Sequence, residues 1–292
     1  MTVEIAMLQL LTGLSAGMVL FLIAAGMSII FGTLRIINLA HGSIYMLGTF
    51  LCFWLTSRFA HIPGVYWWAL FFAPLGIALL GGLIEIFLLR RIYGEHELYT
   101  FILTFGLILV LGDMCKLIWG VAYHTVSAPW PVNGVLSILG MSFPTHGLFL
   151  IGCGGAVFIG LMALMRYTGL GRTIRAVTYN REVANSLGIN APRVYTRVFM
   201  LGCWLAGLAG ILMPPMSVVG LGTDMAVIID CFIIVVIGGL GSLTGAFIGA
   251  IILGLLNSFG ILAIPRMAVA FGFILMIIVL VIRPRGLMGR PE

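Results

Sequence analysis

Charge is what this sequence has least of. Only 8% of its 292 residues are Asp, Glu, Lys or Arg, against about 25% in an ordinary soluble domain. Hydrophobic residues make up 62%, and the mean hydropathy is +1.21. A water-soluble globule cannot hide that much apolar surface, because most of the surface of even a well-packed one meets water. A cytosolic enzyme, a nucleic-acid-binding domain and a disordered chain are excluded on the same ground. The single lysine, Lys116, follows a cysteine, so the GxxxxGK[ST] phosphate loop is missing and any ATP must be hydrolysed by another polypeptide. HExxH is missing too, and His41, His61, His96, His124 and His146 are scattered, which predicts no catalytic residues and no metal site. Cys52, Cys115, Cys153, Cys203 and Cys231 stand singly in apolar stretches without a CxxC pair, as small buried hydrophobes do.

What is present is length of apolar chain. About 20 apolar residues cover the hydrocarbon core as a helix, and uncharged stretches run near 5–34, 66–84, 98–112, 146–165, 198–222, 231–265 and 267–282, with shorter ones near 43–57 and 224–238. The pattern predicts an all-α polytopic membrane protein of eight or nine crossings, some made of broken or half-helices, in a single domain spanning 1–292. The first ten residues carry no Lys or Arg, so the basic region of a secretory signal is missing and the first stretch is expected to stay as a transmembrane helix. The 39 glycines suit close helix approach.

Basic residues set direction, since they collect on the cytoplasmic side. Arg90 and Arg91 close the third span, and Arg283, Arg285 and Arg290 mark the C-terminus. Arg166, Arg172, Arg175, Arg181, Arg193 and Arg197, offset only by Glu182, fill the polar segment of about 167–197. Placing all three groups in the cytoplasm leaves the segment of about 120–145, without Lys or Arg, outside, and the N-terminus outside as well. The segment 169–197 is longer than a turn needs, and Gly188 and Pro192 punctuate its end. It predicts a short amphipathic helix and a turn of the kind that docks a cytoplasmic partner.

Two polar, glycine-rich stretches interrupt the membrane pattern, FGTLRIINLAHGSIYMLG (31–48) and GGLGSLTGAFIG (238–249). Irregular backbone survives at membrane depth only inside protein or along a wet cavity, and the ends of discontinuous helices there offer free N–H and C=O groups. Asn38, His41, Ser43, Ser242 and Thr244 supply side-chain polar groups. Asn38 and His41 fit either a gate or a structural hydrogen bond. Gly241, Gly245 and Gly249 at four-residue spacing, like Gly13 and Gly17, favour tight packing. Among the few charges, Glu85 is placed to snorkel beside Arg90, Asp113 and Lys116 to neutralise each other at i, i+3, and Asp224 to cap a helix start. Asp230 has no local explanation, and an intramembrane acid is a functional candidate by default.

Three stretches, GLSAGMVLFLIAAGMSIIFGTLRIINLAHGSIYMLG (13–48), GRTIRAVTYNREVANSLGI (171–189) and IGGLGSLTGAFIGAIILG (237–254), resemble the inner-membrane permease subunits of bacterial ABC importers of the branched-chain amino acid type. The middle one is similar to the coupling loop of importer permeases through Glu182, Ala184 and Gly188, and departs at Val183, where alanine is usual. The resemblance implies the ABC importer permease fold and a multi-pass place in the bacterial inner membrane. It implies a second permease as partner (a similar chain or another copy), two cytoplasmic ATPases docking through Arg175, Arg181, Glu182, Ala184 and Gly188, and a periplasmic solute-binding protein. ATP and Mg would be used by the ATPases, with no cofactor on this chain. The broken helices would line or gate the pathway through Asn38, His41, Gly42, Ser43, Gly239, Gly241 and Ser242. The solute would be a branched-chain or other hydrophobic amino acid, or a related urea, amide or aromatic acid. A stand-alone ion-coupled carrier or channel is the competing reading, compatible with Asp230 and the broken helices but leaving the docking loop unexplained.

Overall fold

The computed structural model describes residues 3–138 and 140–289. Arg290, assigned above to the cytoplasmic C-terminus, lies outside them. The chain is a bundle of helices, α1 (Val3–Leu34), α2 (His41–Arg58), α3 (Val65–Phe87), α4 (Glu97–Trp119) and α5 (Thr145–Tyr167), then two short polar helices, α6 (Gly169–Tyr179) and α7 (Arg181–Ser186), then α8 (Ala191–Leu212), α9 (Thr223–Gly238), α10 (Leu243–Ala263) and α11 (Ala268–Ile282). Six segments, built on α1, α3, α4, α5, α8 and α10, are long and apolar enough to cross a membrane. The others are shorter or more polar. One departure from an all-helical chain is an antiparallel hairpin in the segment between α4 and α5, β1 (Val135–Ile138) and β2 (Met141–Pro144).

α1 is the hub. It packs chiefly on α10 and α8, then on α5 and α9, while α3 and α2 cover other faces of α8. Small residues make this possible, because lipid gives helices no hydrophobic reason to associate and close backbone approach has to supply the attraction. A Cβ on Gly13 would lie 2.9 Å from the Gly254 carbonyl, and one on Gly17 would lie 2.8 Å from that of Ala250. Gly207 seats Ile77 of α3 in the same way. The run GLSAG (13–17) has the GxSxG spacing of a serine-nucleophile turn, but it lies inside a continuous helix. Its Ser15 hydroxyl donates to the Thr12 carbonyl at 2.9 Å. Packing explains it. Gly241, expected on the same helical stripe as Gly245 and Gly249, falls before α10 begins.

The C-terminal end of α8 shows how a broken helix is satisfied. Pro214 and Pro215 have no N–H to give the carbonyls four residues back. The Ile211 carbonyl accepts instead from the Tyr66 hydroxyl at 3.1 Å and the Cys52 thiol at 3.6 Å. His146 Nε2 lies 2.9 Å from the Leu212 carbonyl. The chain then returns beside the segment after α4, where His124 and Val219 exchange both backbone hydrogen bonds at 2.9 and 2.8 Å, and enters α9.

Candidate functional site

The first break lies between α1 and α2. Arg35 takes a left-handed φ of 56°, and the chain turns back so that His41, at the start of α2, sets its Nε2 3.1 Å from the carbonyl of Ile23. Ile23 sits about 16 Å before α1 ends, at 1.5 Å per residue, so α2 starts well inside the bundle. There it meets the start of α9. A Cβ on Gly42 would collide with the Asp224 carbonyl, and the Ser43 hydroxyl donates to Asp224 Oδ2 at 2.9 Å. Two helix N-termini thus converge on one buried carboxylate, whose charge suits their dipoles. Asp224 is not the expected cap: the residue before α9 is Gly222, without a side-chain cap. Around this elbow Ser28 Oγ, both amide atoms of Asn38 and His41 Nδ1 are buried without a partner. A buried polar atom left unpaired costs about 1–3 kcal/mol.

The second break is elsewhere. Gly239 (φ 98°) and Gly241 (φ 80°) form the turn after α9, and Ser242 accepts from the Gly245 N–H at 3.1 Å to cap α10. A Cβ on Gly241 would lie 2.9 Å from Gly32, near the end of α1. The C-terminal tail crosses the same turn, Leu287 N–H reaching the Ile237 carbonyl at 2.8 Å and Met288 N–H that of Gly238 at 3.0 Å. All of α9, about 24 Å at 1.5 Å per residue, separates Ser43 and Asp224 from Gly239–Ser242. The two interrupted stretches touch at Gly32 and Gly241, but residues 38–43 lie apart from residues 239–242. Residues 38–43 meet instead the start of α9 at Asp224, a helix start the sequence reading placed without seeing what it faces. Its signal was present in Gly220, Gly222 and Thr223 after the paired prolines.

The polar segment holds two helices where one was expected. Thr168 caps α6, accepting from Gly171 N–H at 3.2 Å, and Arg175 donates to the Met165 carbonyl, tying α6 back to α5. Asn180 caps α7 through the N–H groups of Glu182 and Val183 at 2.9 and 3.0 Å. α7 ends in a Schellman motif: Ile189 N–H bonds the Ala184 carbonyl and Gly188 N–H that of Asn185, both at 3.0 Å. That motif needs a left-handed residue, supplied by Gly188 at φ 80°. Asn190 then caps α8 through Arg193 N–H at 3.1 Å. Arg175, Arg181, Glu182 and Gly188 are exposed, whereas Ala184 is buried and holds α7 down. Between the charges stand three bare apolar side chains, Tyr179 94%, Val183 55% and Leu187 75% exposed. Val183 of α7 and Leu187 just after it lie one turn apart, the Leu187 N–H bonding the Val183 carbonyl at 3.1 Å, and Tyr179 closes α6 before the extended Asn180.

Glu85 does not snorkel. It is 0% exposed and accepts from Arg90 Nη2 at 2.9 Å and Nε at 3.3 Å, Tyr93 Oη at 3.1 Å and Thr196 Oγ1 at 2.8 Å. Burial and this carboxylate push the Tyr93 hydroxyl well above the ordinary phenol range, so it stays protonated and donates. Glu85–Arg90 is the one ion pair among the described residues. Asp113 and Lys116 are both exposed and do not pair with each other. Asp230 stands half-buried beside the exposed Ile229 of α9.

A helical bundle with chain breaks inside it and a capped polar helix pair outside it has the architecture of a multi-pass membrane permease. Residues 9–280 match the family described as branched-chain amino acid transport system, permease component, and the chain belongs to it. It is 29% identical to the high-affinity branched-chain amino acid transport system permease protein BraD of Pseudomonas aeruginosa, over 97% of this chain and 96% of that protein. Identity to LivH of Escherichia coli K12, a permease protein of the same description, is 28% over the same shares. In fold it is similar to PsaBC from Streptococcus pneumoniae solved in complex with Fab, with a TM-score of 0.51 and 12% identity over 94% of this chain and 91% of that one. The chain is therefore an ABC importer permease, a transport component rather than an enzyme. The stand-alone ion-coupled reading is not supported by these matches.

Proposed function

We propose that this chain forms half of the pathway of an importer for branched-chain or other hydrophobic amino acids or a related small solute. Its relatives BraD and LivH carry branched-chain amino acid transport in their names. The chain pairs with a similar second permease, receives solute from a periplasmic binding protein, and docks two ATPases that use ATP and Mg, binding no cofactor itself. It lies in the bacterial inner membrane as one domain. α1 to α5 and α8 to α11 cross in alternation, the N-terminus outside, the C-terminus and α6–α7 in the cytoplasm. Arg35, Arg90, Arg91, the arginines of 166–197, Arg283 and Arg285 then face the cytoplasm, with Arg58, Arg266 and Lys116 on the outer side. That bias fits the preference of basic residues for the cytoplasm.

The observation that carries the proposal is the exposure of the apolar side chains Tyr179, Val183 and Leu187 among arginines on a doubly capped pair of helices. An aqueous face of that kind is covered by a partner. The elbow at Asn38, His41, Gly42 and Ser43 serves as gate, its unpaired polar atoms finding partners when it opens, and Gly239, Gly241 and Ser242 form the inner turn that steadies it.

The test is gentle purification with the native neighbours, followed by ATP hydrolysis and solute uptake in vesicles. ATPases and a second permease are expected to stay bound. Gly188→Val, which forces a β-branched residue to positive φ at about 1–3 kcal/mol, is expected to lower import while the protein stays inserted. A chain that retains no ATPase, together with unchanged import by Gly188→Val, would overturn the proposal.

A further inference from the structure

Glu85 sits in the last turn of α3, fully enclosed, and four donor atoms from three other places in the chain close on its two oxygens. Arg90 comes from the 3₁₀ turn that follows α3, Tyr93 from just beyond that turn, and Thr196 from the second turn of α8. Thr196 is shared: its hydroxyl accepts from Arg90 Nη2 at 2.5 Å and gives its one proton to Glu85, with the Pro192 carbonyl at 3.0 Å as the other acceptor in reach. The cluster therefore bolts the inner end of α3 to the inner end of α8 by hydrogen bonds to a charged group, the strong kind.

The cluster also reaches the coupling helix. The Tyr93 ring stands edge-on to Tyr195, centroids 5.5 Å apart at 84°. The Arg181 guanidinium, at the first position of α7, lies 5.7 Å from the Tyr195 ring centroid, within the range of a cation–π contact. A second tie runs from Asn185 Oδ1 of α7 to the Ala191 N–H at 3.2 Å. The sequence Arg181, Tyr195, Tyr93, Glu85 is thus an unbroken physical path from an exposed element to a buried charge between two large helices, the kind of contiguous network through which displacement travels.

We propose that Glu85 is a positioning residue for coupling: its cluster makes α3 and α8 move as one body when α7 is pushed, so that displacement of the coupling helix reaches the pathway. The proposal rests on the reading of α6–α7 as the ATPase-docking element. Without the cluster, motion of α7 would be absorbed by flexing the first turns of α8, and ATP would be hydrolysed without moving solute.

The experiment uses the assembled complex in liposomes, with solute uptake and ATP hydrolysis measured in the same vesicles and bound ATPase quantified. Glu85→Gln keeps the side-chain shape and is expected to cut solute moved per ATP by about fivefold, the low end of measured coupling energies, with ATPase still bound and still turning over. Thr196→Val is expected to act in the same direction. Tyr195→Leu is expected to match Glu85→Gln, while Tyr195→Phe, which keeps the ring beneath Arg181, retains the wild-type ratio. A ratio unchanged in Glu85→Gln, Thr196→Val and Tyr195→Leu, with ATPases bound, overturns the cluster's role alone. Equal loss of assembly in Tyr195→Phe and Tyr195→Leu also overturns it, because a path through the ring is then not what the residue provides. A wild-type chain that holds no ATPase overturns it together with the reading on which it rests.

Discussion

A carboxylate sealed from water is stable only while its donors stay in place, and the two partners of the Glu85–Arg90 pair are not equivalent in this respect. The Glu85 side chain is 0% exposed and that of Arg90 36%. Removing Arg90 strands a buried charge, a loss of about 3–5 kcal/mol. Neutralising Glu85 returns Arg90 to solvent. Arg90→Gln is therefore expected to lower the thermal unfolding midpoint in detergent further than Glu85→Gln, and equal midpoints would show that burial of the charge contributes little. The i, i+5 spacing of the pair was legible in the sequence. What turned a snorkelling acid into an enclosed one was not, because Thr196 lies 111 residues from Glu85 and no local pattern announces it. The same holds for Asp224, read as a cap, whose partner Ser43 is 181 residues away.

At the scale of elements, the parts with local causes were the readable ones. Gly188 after α7 and Pro192 at the start of α8 are signals that act within four residues, and the structure uses both, whereas Asn180, which splits the segment into two helices, was not read. The hairpin of β1 and β2 was missed because its strands are only four residues each. The elbow before α2 was read as a break, yet what it faces depends on how two distant helices start side by side. Its role separates by substitution. Asn38→Leu and His41→Leu remove buried polar atoms without adding bulk to α6 or α7. Import is expected to fall several-fold while ATPase binding holds, as measured by co-purification and uptake. Loss of assembly in both variants would mark the elbow as structural instead.

For the molecule as a whole, apolar runs and glycine spacing placed the helices well, and the packing follows from the same glycines. Gly17→Leu would drive a side chain into the backbone of α10 beside Ala250. It is expected to reduce the amount of folded protein recovered from membranes far more than Gly112→Leu, since Gly112 of α4 has open space around it. Equal recovery would mean that α1 and α10 pack less closely than described. That central position of α1 also sets a timetable. Its main partners, α10 and α8, are made late, Ala250 leaving the ribosome about 230 residues after Gly17, roughly 12 to 47 seconds at about 5–20 residues per second. Through that interval the helix destined for the middle stands among lipids with its glycine faces bare. The segment best hidden in the finished protein is among the longest exposed during its birth, and whatever shelters nascent membrane chains has most to do here.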